Sequence, residues 1–485
     1  MSRSQSQSEK TRIVGRIEER RSLDDAMESP DAELLAVYGR RRVGKTFLVR
    51  EHFGKRIAFE IAGLHGESTV RQLAHFFTAL RNAFPKAIVT PPSTWLEAFG
   101  MLETIIERAP RASKKRVLFF DEFPWLATRK SGFLSAFESF WNGFASRRRD
   151  LVVVLCGSAA AWMIRKIIQA RGGLHNRVTR RIRLLPFDLS ETRAYLEHRQ
   201  IRFDDMQLSK IYMSVGGIPH YLNLIKKGKS AAQSIDQLFF RGEAMLRDEY
   251  SQLYAALFEE YATHESIVRA LASSWQGLAR DELLAKAKLK SGGGITKAIE
   301  ELSQSGFITA TASRGRIAKD TIYRLSDEYS LFYWHWIART VAGESWQSKA
   351  TSSRYKTWCG YAFESLCFKH IQAIKRSLEI GAVETTVSSW RFMAKRKGEE
   401  GAQIDLLIDR ADRCTNLCEI KFSEEPFVIT KAYAAELERK VRVFSQRTKT
   451  RNTIFLTMIT ANGLKPNQYT SQLISSSITL RDLIR

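Results

Sequence analysis

Two groups of residues in this chain have the types and spacing to do chemistry. The first is Gly39-Arg40-Arg41-Arg42-Val43-Gly44-Lys45-Thr46, a G-x-x-x-x-G-K-T run and so the pattern of a phosphate-binding P-loop. Its glycines let the backbone curl so that successive N–H groups point inward at phosphate oxygens. The positive end of a following helix would face the same anion. Lys45 would place a charge at the β- and γ-phosphates, and the Thr46 hydroxyl would ligate Mg2+. Asp121-Glu122 closes the apolar run Val117-Leu118-Phe119-Phe120, putting two carboxylates at the carboxyl end of a buried strand, where ligands bind in open α/β sheets. Asp121 suits Mg2+ held through water, and Glu122 suits the orientation and deprotonation of an attacking water. Ser158, after the apolar run Val152-Val153-Val154-Leu155-Cys156-Gly157, is placed to sense a γ-phosphate or to hold that water.

The second group is Glu364, Asp405, Glu419 and Lys421. Ile404-Asp405-Leu406-Leu407-Ile408 and Leu417-Cys418-Glu419-Ile420-Lys421 read as two strands of a hairpin, with Asp409-Arg410-Ala411-Asp412-Arg413 as the turn. Glu419 and Lys421 then share a face, and Asp405 lies on the partner strand. Two carboxylates and a lysine on one sheet face are what metal-dependent phosphodiester cleavage needs: the carboxylates hold Mg2+, and Lys421 positions the water. Glu364 shares a helical face with Cys367, Phe368 and Ile371, where a carboxylate is costly unless a metal or a cation pairs with it. The competing reading is a structural hairpin with an exposed ion pair. Cys414 and Cys418 have no second Cys/His pair near them and read as small buried residues, not a zinc site.

The elements that must position the first group are legible. Leu34-Leu35-Ala36-Val37-Tyr38 reads as the strand before the loop, and Phe47 to Phe53 as the start of the helix after it. From Leu34 to about Arg183, apolar strands, Ile57-Ala58-Phe59-Glu60 among them, alternate with helical stretches. That alternation predicts a parallel, doubly wound sheet covered on both faces. Arg12-Ile13-Val14-Gly15-Arg16 precedes the P-loop at a distance suited to folding over an adenine. From Leu151 to Arg183 there is no acidic residue, yet the stretch holds Arg165, Lys166, Arg171, Arg177, Arg180, Arg181 and Arg183. Cations without partners need anions: the chain's own γ-phosphate, a neighbouring subunit's nucleotide in a homo-oligomer, or nucleic acid.

Residues 204–262 read as all helical, a lid over the nucleotide site. From Glu265 to Leu325 three short helices and a hairpin, Gly306-Phe307-Ile308 and Ile322-Tyr323-Arg324-Leu325, suggest a winged helix. Its third helix carries only Lys297 against Glu300 and Glu301, less basic than a major-groove reader. Arg314, Arg316 and Lys319 in the wing are better placed for phosphate, so DNA binding and a purely architectural role both stay open. Phe332-Tyr333-Trp334-His335-Trp336-Ile337 reads as core packing, and the composition changes from about Trp346.

At 485 residues the chain is long enough for two to four domains. The net charge of +24, from 76 basic and 52 acidic residues, points to a polyanionic partner, with nucleic acid ahead of a membrane surface. No apolar run is long enough to span a membrane. Residues 1–10 read as a polar disordered tail without the apolar region of a signal peptide, and five scattered Cys fit a reducing cytoplasm.

Taken in order, Val14-Gly15-Arg16, Gly39 to Thr46, Asp121-Glu122, Gly157-Ser158, Arg177 with Leu185-Pro186-Phe187, and Gly216-Gly217-Ile218-Pro219-His220-Tyr221-Leu222 resemble the archaeal-type family of AAA-like P-loop ATPases. The resemblance covers roughly residues 10 to 250. It implies ATP bound with Mg2+ by Gly15, Arg16, Gly39 to Thr46 and Asp121, with Glu122 on the water, Ser158 as sensor, and Arg177 at the family's arginine position. His175-Asn176 stands where that family more often has Gly-Arg. The order Glu364, Asp405, Glu419, Lys421 resembles the PD-(D/E)xK nuclease superfamily, whose members often form the C-terminus of such ATPases, although no Pro precedes Asp405. The expected architecture is multi-domain α/β. It comprises a tail (1–10), a P-loop core (11–203), a helical lid (204–262), a winged helix (263–345) and a restriction-endonuclease-like α/β domain (346–485). The expected activity is an ATP-hydrolysing switch that controls a nuclease-like domain acting on nucleic acid, DNA more than RNA. The alternative is an ATP-dependent scaffold whose nuclease-like fold only binds DNA, RNA or a protein.

Overall fold

The structure, a computed structural model, describes residues 13–87, 90–109, 114–169, 173–242, 244–258, 260–311, 321–340, 344–394, 396 and 398–485. Arg171, Arg314, Arg316 and Lys319 lie outside the described residues, as do residues 1–10. The chain divides after Pro186 into two compact units.

In the first unit five strands, β1 (Glu33–Tyr38), β2 (Ile57–Ala62), β3 (Arg116–Asp121), β4 (Leu151–Gly157) and β5 (Arg180–Arg183), form a sheet in the order β2-β3-β4-β1-β5. Every neighbouring pair is parallel. All seven residues of β4 are buried, as continuous apolar runs must be when both sheet faces are covered. The helices Thr69–Ala83, Trp95–Arg108 and Phe133–Gly143 each turn an apolar face inward. Phe76, Trp95, Phe99, Phe133 and Phe137 from these helices meet Phe59 and Phe120 of the sheet in one aromatic core. Phe99 stacks on Phe140 at 5.1 Å between ring centroids.

Strand β5 is hidden in the basic stretch, because Ile182 is its one buried residue and arginines fill the rest of this edge strand. Arg180 is not an unneutralised cation: it pairs with Glu33 at 3.4 Å and with Asp25 at 3.7 Å, carboxylates from outside its own stretch.

The second unit opens with helices, Leu189–His198, Asp205–Val215, Pro219–Leu222, Ala231–Phe239 and Met245–Ala255. Gly217 sits so close to the Phe187 backbone that a Cβ there would lie 1.8 Å from the Phe187 carbonyl oxygen, which explains the glycine in this turn. Next come helices Tyr261–Ala272, Arg280–Ala287 and Gly293–Gln304, with a small sheet of β6 (Leu278–Ala279), β7 (Ile308–Thr311) and β8 (Ile322–Leu325) in the order β6-β8-β7. Phe332 and Trp336 pack with Trp346 and Trp358 in an aromatic core, as the stripe predicts.

A larger sheet follows, made of β9 (Thr385–Phe392), β10 (Ala402–Arg410), β11 (Cys414–Lys421), β12 (Thr453–Thr460) and β13 (Ser476–Thr479) in the order β13-β12-β11-β10-β9. The pairs from β9 to β11 are antiparallel and those from β11 to β13 are parallel. Helix Ser353–Lys369 precedes this sheet, and helix Lys431–Thr448 makes the crossover from β11 to β12 that parallel pairing requires. Among the described residues no helix is long and apolar enough to cross a membrane.

His370, at the end of helix Ser353–Lys369, ties that helix to the start of helix Leu189–His198. Its Nε2 accepts the Leu189 N–H at 3.0 Å, and its Nδ1 donates to the Leu366 carbonyl at 2.8 Å. Protonating Nε2 would set two donors against each other, and burial pushes the pKa from 6.5 down to about 4. The native state therefore holds His370 neutral. The stability this contributes is present above pH 6.5 and is lost as pH falls from there to about 4. Urea unfolding should show wild type losing about 3 kcal/mol more between pH 7 and pH 4 than His370→Gln, which keeps an acceptor for Leu189. Equal pH slopes would contradict this.

Candidate functional site

The P-loop leaves β1 through Gly39 at φ +154°, where a Cβ would stand 2.2 Å from the Leu184 carbonyl oxygen. The chain then passes through positive φ at Arg42 and Gly44 into helix Lys45–Phe53. Lys45 is buried, 5 % exposed, and its ammonium donates to the carbonyls of Gly39 at 3.0 Å and Arg40 at 2.9 Å. No carboxylate pairs with it among the described residues, so a full positive charge is held by neutral acceptors. Val43 and Arg40 are buried in the same loop, and Arg41 lies over the Trp125 ring at 5.9 Å. Gly15 and Arg16 both take positive φ, and the Arg16 guanidinium reaches the Val43 carbonyl at 3.5 Å, which lays this upstream turn against the loop.

The Thr46 hydroxyl donates to Asp121 Oδ2 at 2.7 Å, bringing together two residues 75 apart in sequence. Asp121 Oδ1 accepts the Glu122 N–H at 2.9 Å. Glu122 itself has φ +42°, a conformation costly for a residue with a Cβ. Its carboxylate is held by Ser158, whose N–H donates at 3.1 Å and whose hydroxyl lies 2.6 Å from Oε2 and 2.8 Å from Oε1. Strand β4 lies between β1 and β3, so its last residues deliver Ser158 between the P-loop and the carboxylates.

Gly63, just past β2, was not legible as a site residue. A Cβ there would lie 2.6 Å from the Glu122 carbonyl oxygen, so a glycine is what lets the Glu122 turn close. Arg177 is exposed on the turn ahead of β5, and among the described residues its guanidinium makes no hydrogen bond or ion pair.

The second group also converges. The antiparallel register pairs Leu406 with Cys418, and one step further along it sets Asp405 opposite Glu419. Asp405 Oδ2 accepts the Ile420 N–H at 3.0 Å. Lys421 Nζ stands 4.0 Å from Asp405 Oδ2 and 3.8 Å from Glu419 Oε2. Glu419 is almost wholly enclosed. Its Oε2 takes Lys440 Nζ at 2.6 Å and the Tyr433 hydroxyl at 3.3 Å, both from helix Lys431–Thr448, while its buried Oε1 has no hydrogen-bond partner. Burial and the nearby Asp405 carboxylate push the Glu419 pKa up. Half-buried Glu364 faces the same carboxylates: burial first, and Asp405 next, push its pKa up to about 8.

A third cation comes from β8. Arg324 donates to Ser389 Oγ at 2.6 Å and to the Gln276 carbonyl at 3.1 Å, and lies 4.5 Å over the Phe368 ring. Phe368 is one helical turn beyond Glu364. Ser389 faces the bulge between Ile404 and Leu407 that contains Asp405. Burial pushes the Arg324 pKa down, and the nearby Glu364 and Asp405 carboxylates oppose that shift.

With lysine and arginine groups set against the carboxylates, no three His, Cys, Asp or Glu among the described residues form a group that could hold a metal ion as they stand. The unpartnered Glu419 Oε1, beside Asp405, is nevertheless an acceptor that a cation would satisfy. Lys440, Tyr433 and Arg324 were not singled out from the sequence. Lys440 carried a usable signal, a charge on the helical face of Leu437 and Phe444, the same signal that marks Glu364.

Because its pKa is raised, Glu364 contributes stability that is full below pH 4.5 and lost as pH rises through about 8. Glu364→Gln should therefore raise the melting temperature at pH 9 and leave it unchanged at pH 5. Scanning fluorimetry at the two pH values checks this, and a variant less stable at pH 9 would contradict it.

Residues 13–225 match the family described as an ATPase domain predominantly from Archaea. The chain is 22% identical over 437 residues, 89% of its own length and 92% of the relative's, to an uncharacterised protein of Methanocaldococcus jannaschii. Among solved structures, a Walker-type ATPase of Pyrococcus abyssi is similar with a TM-score of 0.49 and 19% identity, covering 66% of this chain and 96% of that one. The Aeropyrum pernix ORC2 protein, solved in ADPNP-ADP complexes, is similar with a TM-score of 0.39 and 13% identity over 70% of this chain and 98% of that one. The chain thus carries an ATPase domain of the archaeal type at residues 13–225.

Proposed function

We propose that the chain is a Mg2+-dependent ATPase whose nucleotide state governs a C-terminal nuclease-like module acting on nucleic acid, DNA more than RNA. The observation that carries the ATPase part is the buried Lys45 ammonium, which donates to the loop carbonyls of Gly39 and Arg40 at one end of a parallel sheet and has no carboxylate partner among the described residues. An ATP β/γ-phosphate would replace those carbonyls as its partner. Thr46 and Asp121 already share a hydrogen bond and would hold Mg2+ between them, and the ion would neutralise charge on the phosphates. Glu122 is the base. While Ser158 holds both of its oxygens it cannot orient a water, so Ser158 acts as the latch that a γ-phosphate would draw away. Arg16 and Gly15 would close over the adenine. Arg177, exposed and without a protein partner among the described residues, is free to act on a neighbouring subunit's nucleotide if the chain forms a homo-oligomer.

The domain reading assigns residues 11–203 to the ATPase core, 204–262 to a lid, 263–345 to a winged helix and 346–485 to the nuclease-like module. What supports the last is the convergence of Glu364, Asp405, Glu419 and Lys421 at one end of the β9–β13 sheet, with a buried glutamate oxygen unpartnered. Asp405 and Glu419 would hold the divalent ion and Glu364 would complete the set, while Lys421 orients the attacking water. A divalent ion held there would supply an activated water and charge neutralisation at the phosphodiester. The scaffold reading is favoured by one observation: Lys440 already pairs with Glu419, and Lys421 stands near Glu419 and Asp405, as in a site that only needs to be stable.

Lys45→Ala should weaken ATP binding by about 100-fold or more, since a buried charge-assisted contact is lost. Glu122→Gln should keep binding and lose turnover. Fluorescent-nucleotide titration and phosphate release check both, and equal turnover by wild type and Glu122→Gln would sink the assignment.

For the C-terminal module, Mn2+ calorimetry on the full chain should give binding that Asp405→Ala removes while ATP affinity stays unchanged. Mn2+-dependent degradation of linear DNA by wild type and not by Lys421→Ala would select cleavage over scaffolding. Identical Mn2+ binding by wild type and Asp405→Ala would select the scaffold.

A further inference from the structure

The helical part of the second unit contains a cavity of about 1040 Å3 that neither motif explains. Among the described residues five cations line it, Arg199, Lys226, Lys227, Lys229 and Arg241, against one carboxylate, Asp236. Asp236 is already committed. It is 2 % exposed, accepts the Trp346 N–H at 2.6 Å and the Ser345 hydroxyl at 3.1 Å, and pairs with Arg241.

The other four cations have no carboxylate among the lining residues. Arg199 donates to the Leu222 carbonyl at 2.7 Å and Lys227 to Gln200 Oε1 at 2.8 Å, and a neutral acceptor leaves the charge uncancelled. Lys226 and Lys229 are exposed and form no hydrogen bond or ion pair among the described residues. Four uncompensated cations around one concavity raise the local potential and concentrate anions there. The fold holds them together: helix Pro219–Leu222 ends at the Lys226-Lys227-Gly228-Lys229 turn, whose Gly228 takes φ +80°, and helix Ala231–Phe239 starts at once behind it.

We propose that this cavity is the site where the phosphodiester backbone of a nucleic-acid strand binds. The inference deepens the nucleic-acid reading given above, by naming the surface that would meet the strand. A volume at the top of the roughly 300–1,000 Å3 range of ordinary ligand sites, with five cations beside the apolar side chains of Ile201, Leu224, Ile225, Leu238 and Met245, has room for several phosphates in a row. The chain's net charge of +24 favours a long polyanion. No aromatic side chain lines the cavity among the described residues, so bases find no stacking platform there, and the contact is to the backbone, independent of sequence.

The test is fluorescence anisotropy of a labelled 20-nucleotide single strand and the matching duplex with the full chain, across a salt series. K226E/K229E is compared with K55E/R56E, a double charge reversal of equal size at exposed positions of the first unit. The cavity variant should weaken single-strand binding about tenfold or more at low salt and lower the log–log salt slope by about 1.4, two contacts at about 0.7 each. The control should do neither, and melting temperatures should match wild type. Equal losses in both variants, or no loss in K226E/K229E, would overturn the site while leaving nucleic-acid binding intact. Absence of binding by wild type would overturn the nucleic-acid reading and this site with it. Calorimetry with inorganic tripolyphosphate separates the sources: binding of tripolyphosphate without DNA binding would overturn the nucleic-acid assignment.

Discussion

A buried ammonium that pairs with no carboxylate among the described residues is the constraint on which the first unit turns. Lys45 is held by the Gly39 and Arg40 carbonyls, neutral groups that soften the cost of burying a cation without cancelling its charge. The loop can offer those carbonyls only if the backbone curls tightly, which requires Gly39 against Leu184 and Gly44 at positive φ. The curl in turn needs a rigid strand behind it, and β1 is rigid because it is the fourth strand of a sheet buried on both faces. Core packing, loop geometry and the unsatisfied charge are therefore one arrangement. A phosphate completes it, because it is the anion that a lysine, a helix N-terminus and inward N–H groups bind together.

The same logic, with the signs reversed, runs through the C-terminal sheet. Asp405, Glu419 and Glu364 crowd one end of it, and burial, together with the nearby Asp405 carboxylate, pushes the Glu364 and Glu419 pKa values up. The fold answers with cations from three directions: Lys421 along the strand, Lys440 from the crossover helix and Arg324 from the small sheet. One oxygen, Glu419 Oε1, remains without a partner. The first site is a cation waiting for an anion. The second is an anionic cluster already partly neutralised.

Local chemistry was legible and long-range partnership was not. The P-loop, Asp121-Glu122, Ser158 and the Asp405/Glu419 hairpin are each set by contiguous residues whose pattern carries its own geometry. Within the first unit Thr46 meets Asp121 and Ser158 meets Glu122, and within the second Leu406 pairs with Cys418 in the hairpin that carries Asp405 and Glu419. Strand β5 was missed because an edge strand with a single buried residue has no apolar periodicity to show. Arg180 was read as unpartnered because its partners, Glu33 and Asp25, lie some 150 residues upstream, where no spacing rule reaches. Arg324 could not be foreseen for the same reason: its place near Glu364 and Asp405 depends on the docking of one sheet against another within the second unit. Gly63 shows a subtler limit, since its role appears only once the Glu122 backbone is seen packed against it.

The central claim is that Lys45 and the Glu122–Ser158 pair are a nucleotide-free arrangement poised to rearrange around a γ-phosphate. The most direct measurement is a structure of the chain with Mg2+ and a non-hydrolysable ATP analogue. The account predicts that Lys45 Nζ leaves the Gly39 and Arg40 carbonyls for the β- and γ-phosphates, and that Ser158 releases the Glu122 carboxylate to a water in line with the γ-phosphate. An analogue bound with Lys45 still on its carbonyls, and Glu122 still held at both oxygens, would contradict it.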